Sequence, residues 1–256
     1  MKVILLPSSV SDRPECQAQF LTTYLINDSL ALDAGSLGLF GTAHEQAAVK
    51  HILLSHSHID HLASLPIFVE NAFEGGHDCV TVYGNQAVLD CLRRDIFNDR
   101  VWPDFVSLSR PEAPFLRLER LESGKSLELE GLRITPVDVD HVVPTLGFVV
   151  EDRAGAVAIV SDTGPTEAIW ERANAATHLK AVFLEATFPD RLAALAQDAR
   201  HLTPILFVRE VQKLKRPAAI IAVHLKARFQ AEVLNELAGL NIPGLQIGQL
   251  GKPYHF

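Results

Sequence analysis

The sequence predicts a mixed α/β fold built as one domain over residues 1–256, on three observations. Short β-rich runs recur along the chain, helical patterns fall between several of them, and 48% of residues are hydrophobic, enough to bury a large core. Charged residues make up 21%, which is not the composition of a disordered chain. No repeat, low-complexity tract or linker divides it, although Arg110–Phe115, with its prolines, reads as a surface excursion.

The predicted strands are Val3–Leu6, Thr23–Ile26, Ser29–Leu32, Ile52–Leu54, Val80–Tyr83, Leu132–Val137, Leu146–Val150, Ala156–Val160, Ala181–Leu184 and Ala219–Val223. Many end in Gly, Asp, Ser or His, as strands do when they deliver residues to a sheet edge. Helical periodicity is read over Leu62–Phe73, Gln86–Phe97, Thr166–Asn174, Pro204–Leu214 and Ala231–Leu240. The order is strand-rich at first, helical in the middle and alternating later.

Composition narrows the function classes. The net charge of −8 argues against broad electrostatic binding to nucleic acid or an anionic membrane. Cys16, Cys79 and Cys91 form no C-x-x-C pair and read as small buried apolar residues in a reducing compartment. Pro7 cuts the opening apolar run short of a secretory segment, and no run approaches membrane-spanning length. A cytoplasmic protein is expected.

The most informative stretch is Leu54-Ser-His56-Ser-His58-Ile-Asp60-His61, directly after an apolar strand. A strand end followed by a tight turn lets His56 and His58 face one metal, while Asp60 and His61, opening the next helix, face a second. Imidazole and carboxylate suit zinc and other borderline first-row ions. The same placement recurs at His141, at Asp162 in Ser-Asp-Thr-Gly, and at His224, each just past an apolar run. The expected sets are His56, His58, His141 and Asp162 on one ion, and Asp60, His61, Asp162 and His224 on the other. Two such ions generate a hydroxide near neutral pH and stabilise an in-line displacement at phosphorus. His44, His51, His77, His178 and His255 have no such context and read as structural or solvated.

These residues resemble the metallo-β-lactamase superfamily, which implies a four-layer αβ/βα sandwich with a dinuclear site at one edge. Finer motifs follow in order: His61-Leu-Ala-Ser-Leu-Pro66, Ile96-Phe-Asn-Asp-Arg-Val-Trp102-Pro-Asp-Phe105, Ser161-Asp-Thr-Gly-Pro165, Leu184-Glu185-Ala-Thr-Phe-Pro189 and His201-Leu-Thr-Pro204. Together they look like class II 3′,5′-cyclic nucleotide phosphodiesterases. Ile59 stands where Leu is expected, and Ala63-Ser64 where many superfamily members carry Gly-Gly. The resemblance implies metal-dependent hydrolysis of cAMP, cGMP or both to the 5′-nucleotide. It implies two divalent ions as cofactor, zinc first with manganese or iron(II) as alternatives, and a homodimer.

Within that resemblance Asp60 carries a catalytic as well as a metal role, and His201 is the candidate proton donor to the leaving oxygen. Glu185 is read as orienting His201, with a surface carboxylate as the alternative. His201 reads equally as a residue at a helix N-terminus. Asp33 is expected to brace the His loop, and Gly35 and Gly164 to serve turns. Trp102 and Phe105 offer a face for a purine or else belong to the core. Thr163 and Thr203 contact phosphate or sugar, or else cap helices.

Three rival readings remain. Another small cyclic phosphodiester would meet the same site. A tRNA 3′-end endonuclease shares Glu-Ala-Thr and His-x-Thr features, but carries a substrate-gripping arm for which the span between His141 and Asp162 is too short. A non-catalytic, metal-stabilised interaction module would be expected to lack a ligand or the proton donor.

Overall fold

In the computed structural model, which describes residues 1–8 and 18–256, two seven-stranded sheets lie face to face. The first runs β14-β1-β2-β3-β4-β5-β6 and the second β13-β12-β11-β10-β9-β8-β7. The first half of the chain supplies β1 (Lys2–Leu5), β2 (Tyr24–Ile26), β3 (Leu30–Leu32), β4 (His51–Leu53), β5 (Val80–Gly84) and β6 (Leu116–Arg120). The second sheet takes β7 (Leu127–Leu129), β8 (Leu132–Val139), β9 (Thr145–Glu151), β10 (Ala156–Ile159), β11 (Leu179–Glu185), β12 (Ala219–Val223) and β13 (Leu245–Ile247). Strand β14 (Pro253–His255) returns to pair antiparallel with β1.

The layers follow from which side chains each face must bury. Val3, Leu32 and Leu53 of the first sheet meet Phe148, Ile159, Phe183 and Ile221 of the second in one core. Strands β9 and β10 are buried along nearly their whole length because helices cover their other face. Behind the first sheet lie α1 (Ala43–Ala47), α2 (Ile59–Leu62), α3 (Leu65–Asn71), α4 (Gln86–Cys91) and α5 (Phe105–Leu108), of which α3, α4 and α5 bury Phe68, Val88 and Phe105. Behind the second lie α6 (Ala168–Ala175), α7 (Ala193–Asp198), α8 (Pro204–Val211) and α9 (Gln230–Gly239), with Trp170, Phe207 and Val233 facing inward. This is the expected αβ/βα sandwich. Among the described residues no helix is long and apolar enough to cross a membrane.

All ten predicted strands have counterparts, but β6, β7, β13 and β14 were not predicted. All four lie at sheet edges and are short or largely solvated, so they lack a long apolar run. The helix predicted over Leu62–Phe73 starts earlier and breaks at Ala63-Ser64, where Pro66 opens α3. The Gln86–Phe97 helix ends as a π-helical turn over Leu92–Ile96. Cys79 and Cys91 are partly exposed rather than buried, since one precedes β5 and the other closes α4; Cys16 lies outside the described residues.

Strands β3, β4 and β5 run parallel, as do β10, β11, β12 and β13, so their C-terminal ends collect at one rim of each sheet. At three of these ends the chain turns through the left-handed region: Asp33 (φ 61°), Ser161 (φ 65°) and His224 (φ 55°). Non-glycine residues there carry strain of about 1–3 kcal/mol and concentrate at functional sites. Gly35 makes a further close approach. A Cβ on it would lie 2.1 Å from the Asp60 carbonyl oxygen and 2.7 Å from the Thr22 nitrogen. Gly35→Ala is therefore expected to displace the Asp60 backbone and cost about 1–3 kcal/mol or more, with weakened metal retention. Urea unfolding alongside metal analysis of the purified variant checks it.

Candidate metal centre

The rim brings the predicted ligands together. His56, His58, His141 and Asp162 offer ligand atoms all within 4.8 Å of one another, and so do Asp60, His61 and His224. Asp162 stands between the groups. Its Oδ2 is 3.4 Å from His61 Nε2 and 3.8 Å from His56 Nε2, while its Oδ1 is 3.5 Å from His224 Nε2. Ligands about 2.1 Å from a tetrahedral ion stand about 3.4 Å apart, so these spacings are those of donors around shared ions.

The hydrogen bonds behind the site place the ring protons. Asp33 accepts the Ser55 N–H (2.7 Å), the Ser55 hydroxyl (2.9 Å) and His61 Nδ1–H (2.7 Å). Having donated to Asp33, the Ser55 oxygen accepts from His56 Nδ1–H at 2.9 Å. Thr187 donates to the His224 carbonyl (3.1 Å) and so accepts from His224 Nδ1–H (3.0 Å). His141 Nδ1–H donates to the Arg200 carbonyl at 3.0 Å. In each ring Nε2 is left with a lone pair aimed at the centre. His58 presents Nδ1 instead, 3.2 Å from His141 Nε2.

This arrangement fits metal. His56 and His61 are fully buried, yet their Nε2 atoms have no hydrogen-bond partner. Such orphaned groups cost about 1–3 kcal/mol each unless something satisfies them, and a divalent cation does. Burial, reinforced by neighbouring imidazoles, pushes His56, His58 and His141 below the ordinary histidine value, towards the neutral form that ligates. Burial opposes charge on Asp162, but His224 and His61 outweigh it and hold the carboxyl well below its usual range. Side chains of this chemistry suit a divalent first-row ion.

His201 borders the second group, within 4.8 Å of Asp162 and His224. Its Nδ1–H donates to Glu185 Oε1 at 2.7 Å, and burial, which works against charge on the ring, is outweighed by that carboxylate. Glu185 is buried and also accepts the Thr163 and Leu202 backbone N–H groups, so it is no surface residue. Asp33 braces the loop as expected.

Other predicted residues fall elsewhere. Phe105 belongs to the core, its ring stacked on Phe115 at 4.4 Å, and Trp102 packs against the same cluster. Phe105 thus follows the core alternative, and Trp102 is half-buried beside it. Thr163 is also no substrate contact: it is fully buried and its hydroxyl donates to the Gly164 carbonyl. Thr203 stands at the N-cap of α8 without a side-chain cap bond and lines the cavity beside His201. Sequence reasoning missed Ser55, Thr187, Arg200 and Lys226. Ser55 alternates with the histidines in Ser-His-Ser-His and Thr187 lies in Glu-Ala-Thr, so both carried a signal. Lys226, whose Nζ is 3.3 Å from Asp60 Oδ2, carried none.

Comparisons with known proteins bear on the family and the fold. The model of the "Beta-lactamase superfamily domain" matches residues 25–225. A "Probable 3',5'-cyclic-nucleotide phosphodiesterase" of Yersinia pestis is 26% identical over 88% of this chain and 81% of its own length. Ribonuclease Z of Limosilactobacillus fermentum is 28% identical over 41% of this chain and 32% of its own. The crystal structure of unliganded yeast PDE1 shares the fold, with a TM-score of 0.75, 15% identity and 96% of each chain covered.

Asp33 and Ser55 are not among the clustered donors, yet they set two ring tautomers. Asp33→Ala is expected to lower metal affinity about 10- to 100-fold with every ligand retained, as read by chelator competition.

Proposed function

The chain belongs to the β-lactamase superfamily, and from that premise we propose that it hydrolyses 3′,5′-cyclic nucleotides, cAMP, cGMP or both, to 5′-nucleotides in a metal-dependent reaction. The observation that carries the reading is the Glu185–His201 pair set against Asp162 and His224. It adds a proton donor to a metal centre already complete without it. The relative from Yersinia pestis supports the same substrate class over most of both chains.

His56, His58, His141 and Asp162 would hold one ion, and Asp60, His61, Asp162 and His224 the other. Zinc is the first candidate, with manganese or iron(II) as alternatives. Two such ions, when bound, neutralise phosphodiester charge and supply hydroxide near neutral pH.

The chain's own residues do the rest. His201, kept protonated by Glu185, gives its Nε2 proton to O3′ as the P–O3′ bond breaks. Glu185 acts through His201 and is a positioning residue. Asp60, a fifth exposed and paired with Lys226, would take the proton of the attacking water. Thr203 offers its hydroxyl to the substrate from the cavity wall.

Cleavage of tRNA 3′ ends is the second reading, favoured by the partial match to Ribonuclease Z. Against it, the span from His141 to Asp162 is taken up by the β9–β10 hairpin, which leaves no arm to grip a tRNA.

Product analysis of metal-replete protein with cAMP and cGMP tests the proposal. Release of 5′-nucleotide that a chelator abolishes is expected, and turnover of a pre-tRNA with neither cyclic nucleotide cleaved would move the assignment. Asp162→Ala is expected to lose metal and activity together. His201→Ala should retain metal and lose about 10²- to 10⁴-fold in kcat; metal analysis and kinetics separate the two, and undiminished turnover removes His201 from the reaction.

A further inference from the structure

Beside His201 the rim opens into a cavity of ≈ 690 Å³ between α7 and α8. We infer that this cavity is the nucleoside subsite, holding the ribose and base while the cyclic phosphate lies at the metal centre. The inference rests on the cyclic-nucleotide reading and extends it to specificity-determining residues.

The argument starts from the bond that breaks. O3′ leaves phosphorus and takes the proton of His201, and O3′ belongs to the ribose. The sugar must therefore follow the side of the centre that His201 faces. His201 lines this cavity, together with Asp140, the neighbour of His141, and Gly164, two residues after Asp162. The cavity is thus continuous with the centre.

Size supports the same assignment. Small-molecule sites span about 300–1,000 Å³, a range that includes this cavity. Among the described residues, the cleft formed by Asp60, His224 and Lys226 measures ≈ 80 Å³, below that range. Two other cavities, of ≈ 620 and ≈ 610 Å³, are lined by none of the candidate site residues.

The lining suits a flat heterocycle with polar edges. Pro165, Ala196 and Leu206 supply apolar wall. Gln197 and Arg209 line the cavity, and their side chains make no hydrogen bond or ion pair among the described residues. An amide presents one donor edge and one acceptor, and a guanidinium presents only donors, which are the groups that read purine edges. This places base recognition on α7 and α8 rather than on the Trp102–Phe105 segment.

Two variants test the assignment on metal-loaded protein, with bis(4-nitrophenyl) phosphate as a phosphodiester that has no nucleoside. Ala193, an exposed residue opening α7 and lining the cavity, tolerates a larger side chain at the surface. Ala193→Trp should lower the ratio of cyclic-nucleotide to diester turnover by about tenfold or more, a loss of about 1.4 kcal/mol. The same substitution should weaken binding of 5′-AMP and 5′-GMP in calorimetry. Gln197→Ala should raise KM for cAMP or cGMP about threefold to tenfold with kcat little changed, as loss of one hydrogen bond does. Equal loss on both substrates, or unchanged cyclic-nucleotide kinetics and nucleotide binding in both variants, overturns the subsite. If the unaltered protein cleaves the diester and neither cyclic nucleotide, the underlying reading fails and this one falls with it.

Discussion

On the first sheet the rim histidines His56 and His61 depend on the Asp33 carboxylate. Buried at the end of β3, it accepts from Ser55 twice and from His61, and through the Ser55 hydroxyl it also sets the tautomer of His56. A neutral imidazole has one protonated nitrogen, so holding the proton on Nδ1 leaves Nε2 bare. Without that constraint the buried rings would donate to one another or to Asp162, and the centre would collapse into a hydrogen-bonded core. Asp33 itself needs φ 61° to turn inward, so the fold accepts local strain at a strand end to keep donors out of the site.

The same logic repeats on the second sheet with different residues. Thr187 at the exit of β11 does for His224 what Ser55 does for His56, and the Arg200 carbonyl does it for His141. Glu185 does it for His201, but being charged it also favours the protonated ring. His61 and His201 are thus the two rim histidines backed by a carboxylate, each at 2.7 Å. What separates them is surroundings: His61 Nε2 is buried at the centre without a partner, whereas His201 lines the neighbouring cavity.

How much was legible follows from where each signal resides. The candidate centre was legible because a His or Asp just past an apolar run recurs at His56, His141, Asp162 and His224, and the structure brings these together. The central strands were legible because burial on both faces writes a continuous apolar run, as in Ala156–Ile159. Edge strands such as β7 and β13 were not, since half-exposed strands of three residues leave no period to detect. Trp102 and Phe105 misled for a related reason: an aromatic near a motif looks the same in sequence whether its ring faces solvent or Phe115. Lys226 was invisible because its meaning lies in a 3.3 Å approach to Asp60 from the far end of the chain.

The two flanks of the centre are unequal, and the inequality gives the site a direction. On one side Asp60, His224 and Lys226 crowd into a cleft of ≈ 80 Å³, with the lysine offsetting the carboxylate's charge. On the other, His201 opens onto ≈ 690 Å³ with unpaired polar groups at its margin. On the proposed reading a small anion at the centre extends into the larger space, with its leaving oxygen towards His201. Water would then have the narrower side, beside Asp60. In-line displacement requires entering and leaving oxygens on opposite sides of phosphorus, and on that reading this asymmetry of volume and charge assigns them.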